Sequence, residues 1–125
     1  MPASSDPCGP PAPFDITIRR SHRLLLAEVV GEVELVNAPK VESELMAALG
    51  EQPDVLVVDA SRVSFLSSAG LAVLMRVRNS AAGRTRFRVV ADSPATLRPI
   101  QLTGLDQEIE IFSTRERAIA MAGDR

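Results

Sequence analysis

Asp59-Ala60-Ser61-Arg62-Val63-Ser64-Phe65-Leu66-Ser67-Ser68-Ala69-Gly70-Leu71 is the stretch on which the reading of this 125-residue chain turns. Ahead of it, Val55-Leu56-Val57-Val58 is a short β-branched apolar run of the kind that fills a strand buried on both faces. Behind it, Gly70, Val73, Leu74, Val77 and Ala81 recur at helical spacing, with Arg76, Asn79 and Ser80 opposite them. Ser67 and Ser68 therefore fall where a loop leaving the carboxyl end of a strand turns into a helix. Strand-end loops are where α/β folds place their chemistry, and a helix start offers unpaired N–H groups and partial positive charge. Two roles fit a serine here. It serves as an N-cap, accepting a free N–H of the first turn, or it presents a hydroxyl suited to carry a phosphate.

Outward from this stretch the chain alternates. Phe14 to Arg19 alternates apolar and polar residues, a half-buried strand, and Leu24 to Val30 is a second strand reached through a short polar turn. The link is too short for a crossover, so the pair is an antiparallel hairpin. Gly31-Glu32-Val33-Glu34 ends the second strand. Asn37 is a good N-cap with Pro39 in the first turn, Val41, Leu45, Ala48 and Leu49 form a helical stripe, and Gly50 suits the C′ position. The second helix fades near Ala82-Gly83, and Thr85 to Ala91 reads as a strand parallel to 55–58. Ser93-Pro94 opens a third helix with Leu97 and Ile100 inward and Gly104 closing it; Pro99 predicts a kink or 3₁₀ segment inside it. Glu108 to Phe112 is an edge strand. Ser113-Thr114-Arg115-Glu116 has the form of a capping box, starting a last helix with Ala118, Ile119 and Ala122 inward.

Composition excludes several classes. Hydrophobic residues make 46% and charged residues 24%, ordinary for one soluble domain with a core of its own. A net charge of −2, no Trp, no Tyr and four Phe give no basis for nucleic-acid binding. No apolar run approaches the ~20 residues that span a bilayer, and the N-terminus has no signal pattern, so a cytoplasmic protein without membrane insertion is expected. Cys8 alone cannot form an internal disulfide, and His22 alone cannot make a two-histidine metal site. There is no Gly-x-Ser-x-Gly elbow and no second candidate base, which argues against a serine hydrolase. The expectation is a non-enzyme needing no cofactor. Met1 to Pro13 holds five of the nine prolines and is expected to be a disordered tail.

The string Asp59-x-Ser61-x-Val63-x-Phe65-Leu66-x-Ser68-x-Gly70-Leu71 closely resembles the signature of STAS domains, in particular bacterial anti-sigma factor antagonists, and the resemblance extends from Phe14 to Ala122. It implies an α/β STAS fold over 14–122: a single mixed sheet of four or five strands with about four helices packed mainly on one face. It implies that Ser68 is the residue phosphorylated by an anti-sigma factor kinase of the partner-switching type, with Ser67 the rival acceptor. It implies partner contacts at Gly31, Glu32, Glu34, Ser67, Ser68, Ala69, Gly70 and Leu71. The family shows Asp where this chain has Ser67 and Glu34, and a second Ser or Thr in place of Ala69. A different reading under the same fold is an interaction module of a transporter or lipid-trafficking complex that is never phosphorylated. Small Ala69 and Gly70 are expected to let a partner's backbone approach closely.

The charges are unevenly distributed. Eight acids and one base, Lys40, lie between Glu28 and Asp59; six arginines and one acid, Asp92, lie between Leu74 and Arg98. Two accounts are open: solvated faces, or a dipolar surface that steers a partner.

Overall fold

Strand β1 (Asp15–Ser21) and strand β2 (Leu24–Val33) form the expected hairpin, antiparallel with Asp15 opposite Val30 and Ser21 opposite Leu24. The computed structural model describes residues 13–122, the last two by backbone alone. The tail expected to be disordered (up to residue 12, Cys8 included) and the inward side chain of Ala122 lie outside the described residues. The hairpin is followed by α1 (Ala38–Gly50), β3 (Val55–Leu66), α2 (Ser68–Ala81), β4 (Arg86–Val90), α3 (Pro94–Leu102), a 3₁₀ turn (Leu105–Gln107), β5 (Glu110–Phe112) and α4 (Arg115–Ala122). One sheet runs in the order β1-β2-β3-β4-β5, parallel from β2 onward. The mixed five-stranded sheet is the one expected.

The unbroken apolar run of β3 has the expected cause, burial on both faces. Leu56, Val58 and Ala60 join Leu25, Ala27 and Val29 of β2 under Val41 and Leu45 of α1, Val73, Leu74 and Val77 of α2, and Ile100 of α3. On the other face Val55 and Val57 pack with Leu26, Val90 and Ala118 of α4. Each fully buried Val or Leu contributes about 1.5–3 kcal/mol of transfer free energy, so the larger, three-helix face holds most of the hydrophobic stabilisation. Helices mainly on one face follow from that imbalance.

Several local expectations change. The second strand runs three residues past Val30, to Val33: β2 continues because β3 runs on beyond β4 and pairs with it, Gly31 opposite Val63 and Val33 opposite Leu66. Register shifts at Glu28/Val30 and Gly31/Glu32 absorb the mismatch, and Gly31 takes φ 96°, open to glycine without steric cost. Gly50 is the last helical residue of α1, while Gln52 takes the left-handed conformation at φ 58°. Pro99 does not break α3, which stays α-helical to Leu102; the 3₁₀ turn follows instead, after Gly104 at φ 77°. Pro99 removes one N–H, but its carbonyl accepts the Thr103 N–H (3.2 Å) and hydroxyl (2.7 Å), which ties down the last turn. The start of α4 is shifted by one residue: Thr114, not Ser113, accepts the Arg117 N–H, at 3.1 Å. The last strand is trimmed to Glu110–Phe112.

Beneath α4, Arg88 of β4 is fully buried. Its Nε donates to Glu110 Oε1 and its Nη1 to the Ala118 carbonyl, both at 3.0 Å, and its Cζ lies 5.5 Å from the centre of the Phe112 ring. Its Nη2 has no acceptor among the described residues.

Candidate functional site

The corner between β3 and α2 separates the two serines. Ser67 is extended, at φ −78° and ψ 171°, and caps α2: the Gly70 N–H donates to its Oγ at 3.3 Å. Its own N–H donates to the Val33 carbonyl at 2.9 Å, which fastens the corner to the end of β2. Ser67 is half-buried. Ser68 is the first helical residue, is exposed, and its hydroxyl makes no hydrogen bond among the described residues. The cap and the free hydroxyl, two readings of one position in the sequence, fall on neighbouring residues.

Of the other expected contact residues, Glu34 is exposed, Glu32 and Ala69 are half-buried, and Gly31, Gly70 and Leu71 are buried. The small size of Gly70 serves the interior. A Cβ there would sit 2.7 Å from Leu66 Cδ1 and 2.9 Å from Val33 Cγ1. Gly70 and Leu71 are buried and support the corner from below.

Asn37 holds the loop between β2 and α1 beside this corner. It stands at the N-cap of α1, as expected, but its side chain does not cap. The carboxamide turns back: Nδ2 donates to the Glu32 carbonyl (2.8 Å) and Oδ1 accepts the Glu34 N–H (2.9 Å). The backbone N–H groups of Asn37 and Ala38 both donate to the Glu34 carbonyl. The loop so closed exposes Leu35 (78%) and Val36 (85%), and Phe65 opposite Glu32 in the β2–β3 ladder is half-exposed at 50%. Leu35 and Val36 carry no signal in the sequence, because apolar residues beside a strand end look like core, and Phe65 stands out only as part of the motif string.

The acid that begins the opening stretch has a structural task. Asp59 is buried, with Oδ1 accepting the Ser61 N–H (2.9 Å) and Oδ2 accepting Arg115 Nε (2.8 Å). Arg115, at the start of α4, also donates to Glu28, which in turn accepts from Arg19 at 2.8 Å. Burial pushes the Asp59 carboxyl up, but Ser61 and the Arg115 guanidinium outweigh it and hold it below the usual range. Glu28 is lowered too, by Arg19 first, with Arg115 adding to it against burial. No spacing rule relates residues 28, 59 and 115, so this network was not legible in the sequence.

Much of the charge asymmetry cancels in space. Glu42 pairs with Arg76, Glu51 with Arg20, Asp54 with Arg23, Glu108 with Arg78 and Glu110 with Arg88. Within the acid-rich run only Glu32 and Glu34 make no ion pair among the described residues, and both lie at the Ser68 end. Among the described residues no group of His, Cys, Asp and Glu is placed to hold a metal, and no helix is long and apolar enough to cross a membrane.

The sequence profile of the STAS domain matches residues 15–118. The anti-sigma-F factor antagonist RsfB of Mycobacterium tuberculosis is 32% identical over 109 residues, covering 87% of this chain and 89% of that protein. The crystal structure of an anti-sigma factor antagonist from Mycobacterium paratuberculosis superposes with a TM-score of 0.84 at 35% identity, over 89% of this chain and 97% of that one. The phosphorylated form of the Bacillus cell fate determinant SpoIIAA shares the fold, at a TM-score of 0.62 and 20% identity, over 88% and 99% of the two chains.

Proposed function

Since the chain belongs to the STAS domain family, we propose that it is an anti-sigma factor antagonist: it binds an anti-sigma factor that is also a serine kinase, frees the sigma factor, and is switched off by phosphorylation of Ser68. The observation that carries this reading is the free, exposed hydroxyl of Ser68 beside a Ser67 whose oxygen is taken up as a cap. Two relatives at 32% and 35% identity are named anti-sigma factor antagonists, which supports the partner class. On this reading the protein is a binding protein of the cytoplasm and not a catalyst.

The switch needs no refolding. Phosphate adds roughly −1.5 to −2 charges, and at the start of α2 an anion is tolerated, gaining about 0.3–1 kcal/mol at a surface. Against a partner shaped for a hydroxyl the same charge loses its water without a matching cation, a cost of several kcal/mol. A loss of about 3–4 kcal/mol weakens binding several-hundredfold.

The test is a pull-down of the anti-sigma factor with wild type, Ser68→Ala and Ser68→Asp, with and without ATP, read together with intact mass. Wild type gains one phosphate and releases the partner; Ser68→Ala stays bound and unmodified; Ser68→Asp binds poorly. Labelling that persists in Ser68→Ala moves the site, and equal binding by Ser68→Asp overturns the charge mechanism.

A further inference from the structure

The residues at the Ser68 end divide into those that are exposed and those that only support them. Gly31, Gly70 and Leu71 are inside. Leu35 and Val36 are among the most exposed large apolar side chains of the described residues, and Phe65 is half-exposed. Single exposed aliphatics are ordinary on any surface. These differ in how they are held. Two adjacent aliphatics sit on a loop closed by the Asn37 carboxamide and by two N–H bonds to the Glu34 carbonyl. That loop continues from Val33, whose carbonyl takes the Ser67 N–H, and from Glu32, which lies opposite Phe65. The chain pays to keep them in water on a fixed support, so little ordering remains to be done when they are covered.

The charge around them is equally particular. Glu28, Glu42, Glu44, Glu51, Asp54 and Asp59 each have a cationic partner within this chain, whereas Glu32 and Glu34 on either side of Val33 have none among the described residues. Exposed apolar side chains at this end, with two carboxylates that make no ion pair among the described residues, fit a surface that is apolar at its centre and carries Lys or Arg at its rim.

We propose that Leu35, Val36 and Phe65 are the affinity anchor for the anti-sigma factor, that Glu32 and Glu34 select a partner with a basic rim, and that Ser68 contributes the switch but little of the binding energy. This rests on the function proposed above. Anchor and switch are then separate residues on one rim: removing the anchor abolishes docking in either phosphorylation state, while removing the Ser68 hydroxyl leaves docking intact.

The experiment is calorimetric titration of the full chain with the purified anti-sigma factor at two salt concentrations. Leu35→Ser/Val36→Ser weakens binding roughly 10–100-fold, the range of lost anchor residues, and does so equally in a Ser68→Ala background. Glu34→Lys weakens binding and flattens its salt dependence. Leu102→Ser, at a second exposed leucine (79%) at the far end of α3, binds as wild type. Circular dichroism shows all variants folded, since the replaced side chains are largely in solvent. Wild-type affinity in the double variant overturns the anchor while leaving the proposed function standing. A double variant that changes oligomeric state and not partner affinity overturns it too, making the patch a self-association surface. If wild type and Ser68→Ala both bind no anti-sigma factor, the functional reading itself fails.

Discussion

At the scale of single residues, the corner at 67–70 divides its work. Ser67→Ala removes an N-cap and costs about 1 kcal/mol, read as a lower urea midpoint, yet leaves Ser68 a substrate by intact mass. Ser68→Ala does the reverse: stability within about 0.5 kcal/mol of wild type and no phosphate. An equal loss of labelling in both would mean that the cap positions the acceptor. Gly70→Ala sets two effects against each other. Alanine gains about 1 kcal/mol of helix propensity, while a Cβ 2.7 Å from Leu66 and 2.9 Å from Val33 brings overpacking of about 1–3 kcal/mol. Net destabilisation of about 1 kcal/mol is expected in a thermal melt. A gain in stability would show that the two side chains move aside freely.

At the scale of elements, α4 is attached differently from the rest. The other three helices dock through apolar stripes with clear periodicity, and these were legible: Val41, Leu45 and Ala48, or Gly70, Val73, Leu74, Val77 and Ala81, were all expected inward and are buried. The attachment of α4 depends on Arg115 reaching Asp59 and Glu28 and on Arg88 reaching the Ala118 carbonyl, contacts that no local pattern encodes. Boundaries failed for a related reason. The length of β2 is set by the distant β3, and the conformation of Gly31 by that pairing. Asn37 was found at the right position with the wrong task, because its carboxamide had backbone partners at Glu32 and Glu34 that only the folded loop supplies. Asp59→Asn, which leaves Arg115 beside a neutral amide, should cost about 2–3 kcal/mol, the low side for a broken buried pair because Arg115 is partly solvated. Hydrogen exchange should rise first in α4. A uniform rise would mean that the helix is held by its apolar contacts alone. The same network contributes to stability against acid. Asp59 and Glu28 have folded values below their unfolded ones, so their contribution is complete above the ordinary carboxylate range, near pH 4, and is lost as pH falls through the lowered values. Asp59→Asn should flatten that acid loss; an unchanged acid profile would assign it to other carboxylates.

At the scale of the whole molecule, modification and stability should be uncoupled. A phosphate at Ser68, as proposed, would stand outside both apolar clusters and at the favourable end of α2, so phosphorylated and unmodified protein should melt within a few degrees of each other, about 4 °C corresponding to 1 kcal/mol at this length. A larger shift would point to a conformational change rather than a blocked contact. The buried guanidinium of Arg88 leads elsewhere. With one donor unpaired among the described residues and its charge balanced by the half-exposed Glu110, it holds α4 at a cost in desolvation that a plain hydrocarbon would not incur. Methionine in its place would keep the bulk against Phe112 and escape that desolvation but would strip the Ala118 carbonyl of its donor, so α4 should loosen while the far ends of β2 and β3, where Ser68 stands, are left as they were.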